Sequence, residues 1–370
     1  MKTLRTTLLI CTFLFVASAS YCQQRVYRQL DSIFNNLYKS GSFSGNVLIA
    51  KNGQSIYQKS FGFADSSKQI KNENPTRFLL ASVSKQFTAA GIVLLKEAGK
   101  LNYDDKLVKY LPALPYPEIT IRQLLNHTSG VPDYLPVFDQ YWDKTKFATN
   151  DDMLDILIKY HPDPFFEPGQ KYLYSNTGYA LLASVIEKVS GVSFTDYMED
   201  KVFRPFGLKH TLVYTRRARP KQVPNCATGY VYEDSLKRFI MPEQHPVWKH
   251  ALWEDGIYGE DGVNSTVGDI LLWDQAVFNR TIISVEDWKE ILGAGKPAEG
   301  DSDYGFGWHL INPQGKGRIA YHTGGWPGFQ SYNEQGLDQN YTIIILRNKF
   351  APRTKVPVEV LRSIINSINY

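Results

Sequence analysis

Ser82-Val83-Ser84-Lys85 stands where a polar segment ends and a long apolar helical pattern, Gln86 to Gly99, begins. Residues three apart share a helix face, so this spacing places the Lys85 amine over the Ser82 hydroxyl and turns Ser84 elsewhere. A serine hydroxyl is a poor nucleophile until a base takes its proton, and an amine is that base only where its surroundings favour the neutral form. Burial and the positive end of a helix both act in that direction. Alone the tetrad is weak, because Ser82 is also a good helix N-cap and Ser-x-x-Lys is common.

Two later segments strengthen it. Tyr172-Leu173-Tyr174-Ser175-Asn176-Thr177-Gly178 follows the Pro168-Gly169 turn and precedes the apolar run Tyr179 to Val189, which places Tyr174 and Asn176 on a tight loop able to aim both side chains inward. Tyr321-His322-Thr323-Gly324-Gly325-Trp326-Pro327-Gly328 lies between two strand-like stretches, Arg318 to Tyr321 and Phe329 to Glu334, and reads as one strand turning into the next. Taken singly, Tyr174 reads as a packing residue, Asn176 as a turn residue and His322 as a hydrogen-bonded strand-end histidine.

With Ser-x-x-Lys at 82–85, Tyr-x-Asn at 174–176 and His-Thr-Gly at 322–324 in that order, the chain resembles the serine β-lactamase and penicillin-binding-protein family, in its class C, DD-peptidase and esterase branch. The class A set carries Ser-Asp-Asn and Lys-Thr-Gly in the second and third places, and this chain departs from both. Asn126-His127-Thr128-Ser129-Gly130-Val131-Pro132 and Gly262 to Asp269 are further landmarks, read as loop and helix-start structure rather than chemistry. The resemblance covers residues 25–370.

It implies an α+β fold: a five-stranded antiparallel sheet flanked by helices, a mostly helical lobe, and an active site in the cleft between them. A single domain over 23–370 is expected, with an α/β lobe from 23–103 and 301–370 and a helical lobe over 104–300. Ser82 is expected to form an acyl-enzyme, with Lys85 and Tyr174 sharing the proton work, since a phenol is a poor base at its ordinary pKa near ~10. The backbone amides of Ser82 and Gly325 would form the oxyanion hole, and Asn176, His322, Thr323 and Gly324 would hold the substrate.

Histidine at 322, where many β-lactamases of the family carry lysine, gives no permanent charge for a substrate carboxylate. The implied activity is therefore hydrolysis of a D-amino-acid peptide, of DD-carboxypeptidase or D-aminopeptidase type, or of a carboxylic ester. A class C-like β-lactamase and a non-catalytic penicillin- or peptide-binding module are the alternatives. The partner is a small-molecule or peptide substrate, and no cofactor or metal is implied. His127, His161, His245 and His250 lack the spacing of a zinc site, and Gly41-Ser42-Phe43-Ser44-Gly45 is no nucleophile elbow because its centre is Phe.

The 370 residues, 43% hydrophobic and 14% aromatic, suffice for a sizeable core and argue against disorder. Lys2 and Arg5, the apolar run Leu8 to Val16 and the small residues Ala17 to Ser20 read as a secretory signal within residues 1–22, cleaved after Ala19 or as late as after Cys22, giving a periplasmic or extracellular protein without a transmembrane segment. Bulky Tyr21 before Cys22 argues against a lipoprotein. A retained Cys22 could pair with Cys226 in an oxidising compartment. The net charge of +4 and the short basic clusters Arg216 to Arg219 and Lys349 to Lys355 give no support to nucleic-acid binding.

Helical spacing over Gln24 to Lys39 leads into strands at Gly45 to Ala50 and Gln54 to Phe61, joined by the Asn52-Gly53 turn. Strands at Arg318 to Tyr321, Phe329 to Glu334 and Tyr341 to Arg347 and a helix at Val356 to Ile368 close the chain. Helices are expected at Thr120 to Leu125, Asn150 to Tyr160, Tyr179 to Val189, Ser193 to Val202 and Val267 to Phe278, with no strand set between 104 and 300.

Overall fold

Val47-Leu48-Ile49-Ala50 and Ile343-Ile344-Ile345-Leu346 are apolar at every position, the pattern of strands covered on both faces. In the computed structural model, which describes residues 23–215, 223–278, 283–350 and 355–368, these two segments pair antiparallel at the heart of a six-stranded sheet. Its strands are β1 (Gly45–Lys51), β2 (Gln54–Phe61), β3 (His309–Ile311), β4 (Ile319–Trp326), β5 (Phe329–Gly336) and β6 (Tyr341–Arg347), ordered β3-β4-β5-β6-β1-β2. Every pairing is antiparallel, and Val47 lies opposite Ile345.

The period of two sorts side chains between the faces. Val47, Ile49, Ile343 and Ile345 meet Leu30 and Phe34 of helix α1 (residues 23–39) and Leu361 and Ile365 of the last helix (Val358–Asn366). Leu48, Ala50, Ile344 and Leu346 turn to the larger core, shared with α2 (Lys85–Glu97) and with the helix Val267–Phe278. The helices Ile121–Leu125, Tyr134–Tyr141, Asn150–Tyr160 and α3 (Asn176–Ser190) pack on that core. Local signals fix their ends: Thr120 with Gln123 and Thr149 with Asp152 form capping boxes, and Gly191 ends α3 in the left-handed region.

The structure departs from the sequence expectations in four places. A sixth strand, β3, extends the sheet edge by three residues. His322, Thr323 and Gly324 lie inside β4, and the turn falls later, at Pro327-Gly328. Ser193 to Val202 divides into a short α-helix, Phe194–Tyr197, and a wider turn, Met198–Phe203. Between 104 and 300 there are short strands after all. Tyr230–Glu233 pairs with Arg238–Ile240 and Lys349–Phe350, and Val263–Ser265 lies between Phe78–Leu79 and Leu212–Val213. Runs of two to four residues are too short to show a period.

The signal segment with Cys22, and Arg216 to Arg219, lie outside the described residues, as does most of Lys349 to Lys355. Cys226 is a free thiol. Among the described residues no helix is long and apolar enough to cross a membrane, and no group of three or more His, Cys, Asp or Glu is arranged to hold a metal ion.

Candidate active site

Ala81 has φ of +49°, in the left-handed region that non-glycine residues avoid, and it opens a 3-10 turn, Ala81–Ser84, that runs into α2. Side chains at i and i+3 eclipse in so tight a turn, which brings Lys85 Nζ to 3.2 Å from Ser82 Oγ. Ser84, rather than Ser82, sits at the α2 N-cap, and its hydroxyl accepts from the Val263 N–H at 3.1 Å. Ser82 is thus left half-buried with the ammonium beside it.

Lys85 is 0% exposed, so its charge has to be met by protein groups. Nζ donates to Asn176 Oδ1 at 2.9 Å and to the Glu260 carbonyl at 3.0 Å as well as to Ser82, and Glu260 Oε2 lies 4.0 Å away. The rings of Tyr174 and Tyr179 lie 4.9 and 5.6 Å from Nζ and add cation–π attraction. Because an ammonium only donates, the Asn176 oxygen must face it, and Nδ2 is turned away from the ammonium. Asn176 is the first residue of α3, held by the Ser175 hydroxyl, which accepts from Gly178 N–H. Tyr174 stands on the loop just before.

Glu260 was not singled out from the sequence, although it adjoins the Gly262 to Asp269 landmark. Its Oε1 accepts from the buried Tyr134 hydroxyl. Burial raises the Glu260 carboxyl, opposed by Lys85 and by Tyr134, and burial with Glu260 pushes Asp261 up further.

His322 stands beside Tyr174, ring centroids 6.1 Å apart, but is only 2% exposed. Its Nδ1 lies 2.7 Å from the Thr323 carbonyl, which can only accept, so Nδ1 carries the proton and Nε2 accepts from the Tyr304 hydroxyl at 2.8 Å. Burial and Lys85 drive its pKa well below the usual histidine value. The His322 ring is therefore neutral, and both of its nitrogens are engaged within the protein. The sequence could not show this, because Tyr304 is distant in the chain.

The exposed residues of this strand are Thr323 and Gly325. Along β4 the edge strand β3 covers only Ile319 to Tyr321, so among the described residues the main chain of β4 beyond them is not paired by β3 where it runs along the Ser82 turn. Gly324 permits that approach. A Cβ there would sit 2.2 Å from the Leu80 carbonyl oxygen, whereas one on Gly325 would meet nothing within 4 Å. A cavity of about 590 Å³, lined by Leu79, Asp261, Asn264, Trp326, Phe329 and Cys226, lies beyond the end of β4, and none of Ser82, Lys85, Tyr174 or Asn176 lines it.

An antiparallel sheet covered by helices on both faces, with Ser-x-x-Lys opening a buried helix beside strand β4, defines a serine acyl-transfer enzyme of the β-lactamase and transpeptidase fold. The chain belongs to the Beta-lactamase family, whose model matches residues 30–362. It is 40% identical over 328 residues to penicillin-binding protein 4* of Bacillus subtilis (strain 168), covering 88% of this chain and 73% of that protein. To protein flp of Staphylococcus aureus (strain MW2) it is 27% identical, covering 93% and 67%. A penicillin-binding protein from Bacillus halodurans superposes with a TM-score of 0.76 at 27% identity, over 90% of this chain and 98% of that one. D-amino acid amidase from Ochrobactrum anthropi SV3, at 23% identity and a TM-score of 0.72 over 95% and 98%, shares the fold.

Proposed function

We propose that Ser82 is the nucleophile of an exported hydrolase that cleaves a D-amino-acid peptide or amide, or a carboxylic ester. The 3.2 Å contact from Lys85 Nζ to Ser82 Oγ carries this reading. Ser82 Oγ bonds to the substrate carbonyl carbon while its proton passes to the Lys85 and Tyr174 pair, which accepts it in the state that holds one proton fewer, as amine with phenol or ammonium with phenolate. The tetrahedral oxyanion is met by the amides of Ser82 and Gly325. The bond to the nitrogen or oxygen of the leaving group then breaks as the same pair returns the proton, and water releases the acyl group.

Asn176 Nδ2 orients the substrate carbonyl, and the β4 main chain at Thr323 and Gly324 lines up the extended acyl chain. His322 supports them from behind through Tyr304. A neutral buried histidine gives a substrate carboxylate no cation, which favours an amide or ester without a free carboxylate over β-lactam turnover. The kinship with a penicillin-binding protein at 40% identity supports the choice against β-lactam turnover. Residues 23–370 act as one domain in this reading, with 1–22 as its export signal.

The test is mass spectrometry of the purified protein after a fluorophosphonate or a penicillin, with turnover of nitrocefin, a p-nitrophenyl ester and a D-Ala-D-Ala peptide. An adduct on Ser82, absent in Ser82→Ala, with ester or peptide turnover above nitrocefin, is expected. Fast nitrocefin turnover would make the protein a β-lactamase, and no adduct with no turnover would make it a binding module.

A further inference from the structure

We propose that His127 is a positioning residue for Tyr174, gripping the chain on both sides of that tyrosine; this rests on the role proposed for Tyr174. The His127 carbonyl accepts from the Leu173 N–H at 2.9 Å, and its ring Nδ1 accepts from the Ser175 N–H at 3.1 Å. One residue therefore binds the N–H groups of the two residues that flank Tyr174. Next along the chain, the Thr128 carbonyl accepts from Gly169 N–H at 2.7 Å and the Gly130 carbonyl from Phe165 N–H at 2.9 Å, so the same segment anchors the earlier part of the Tyr174 loop.

Other features of His127 fit that task. Its φ is +60°, a left-handed conformation costly for histidine, which lets carbonyl and ring reach the same loop together. A backbone N–H can only donate, so Nδ1 bears the lone pair and the proton sits on Nε2. That Nε2 is buried with no hydrogen-bond partner. The ring packs against Tyr174 and Tyr304, with centroids 4.4 Å away in each case. Burial, followed by the nearby Lys85, lowers the His127 pKa well below the usual histidine value, which keeps the imidazole neutral and Nδ1 an acceptor at neutral pH. Since Ser175 also caps α3, the same grip sets the position of Asn176.

Loss of the ring leaves the Ser175 N–H buried without an acceptor, and the loop shifts to find one. A displacement on the order of 1 Å at a proton-transfer group lowers a rate roughly 100-fold. Asparagine is the conservative variant, because its Oδ1 lies near the place of Nδ1 and it tolerates left-handed φ.

The experiment measures single-turnover acylation by p-nitrophenyl acetate, as a rate constant and an apparent binding constant, with thermal midpoints, for His127→Ala, His127→Asn, Tyr174→Phe and the double variant His127→Ala/Tyr174→Phe. Expected are a roughly 10- to 100-fold slower acylation in His127→Ala at nearly unchanged binding, recovery of most of it in His127→Asn, and a double variant no slower than Tyr174→Phe. A merely structural role would leave the two losses multiplying, and that result overturns the proposal. So does a folded His127→Ala with normal acylation beside an impaired Tyr174→Phe, or a His127→Asn as slow as His127→Ala. Should His127→Ala fail to fold, the same comparison is made with His127→Gln, whose acceptor lies one methylene too far. Normal acylation in Tyr174→Phe would instead overturn the role given to Tyr174 and the grip with it.

Discussion

Replacing Lys85 by methionine removes the ammonium while nearly preserving side-chain length, and its effect divides between stability and chemistry. Three acceptors lose their donor: Ser82 Oγ, Asn176 Oδ1 and the Glu260 carbonyl. At about 1 kcal/mol each the loss approaches ~3 kcal/mol, offset in part because a buried charge no longer has to be held out of water. A net loss of about 1–3 kcal/mol lowers the thermal midpoint by only several degrees. The chemical loss is larger, since a positioned proton-transfer group contributes roughly 10²–10⁴ in rate, about 3–5 kcal/mol of barrier.

The variant also carries a pH signature. Burial raises the Glu260 carboxyl in the folded protein and Lys85 opposes that rise, so without Lys85 the carboxyl keeps its proton to higher pH. A carboxyl raised on folding binds more protons in the native state, so stability is greatest below its ordinary pKa and falls as pH climbs toward the raised value. The midpoint of Lys85→Met should therefore fall more steeply between pH 5 and 8 than that of the parent. Scanning calorimetry over that range and burst kinetics with a p-nitrophenyl ester measure both effects. A folded Lys85→Met that acylates within tenfold of the parent refutes the assignment of Lys85 to proton transfer, and an unsteepened pH slope refutes the coupling to Glu260.

Gly324→Ala should place its Cβ against the Leu80 carbonyl and Ser331 Oγ, each 2.2 Å away, and force β4 off the Ser82 turn. Acylation should slow at least tenfold at a stability cost of about 1–3 kcal/mol, and unchanged acylation would show that this approach is not needed. Glu254 is pushed up to about 8 by burial and by Glu260, so it withholds stability increasingly as pH rises from its ordinary value near 4.5 through 8. Glu254→Gln should flatten the fall of the urea midpoint between pH 6 and 8.5, and an unaltered slope would place the titration elsewhere.

The elements that depend on neighbours in the chain were legible without coordinates. Lys85 reaches Ser82 because the spacing of three is a local property of a helical turn, and the helices at 150–160 and 267–278 begin and end where their periodicity says. The all-apolar runs of β1 and β6 announced burial on both faces. That they pair with each other could not be read, because an unbroken apolar run specifies burial and not a partner. Tertiary structure alone brought Asn176 and Glu260 to the Lys85 ammonium, sealed His322 behind Tyr304, and turned the His127 segment from a loop landmark into a clamp on Tyr174. Backbone dihedrals set the first kind of contact within one turn. The second kind forms only when the sheet closes and buried charges and N–H groups must find partners across long stretches of chain.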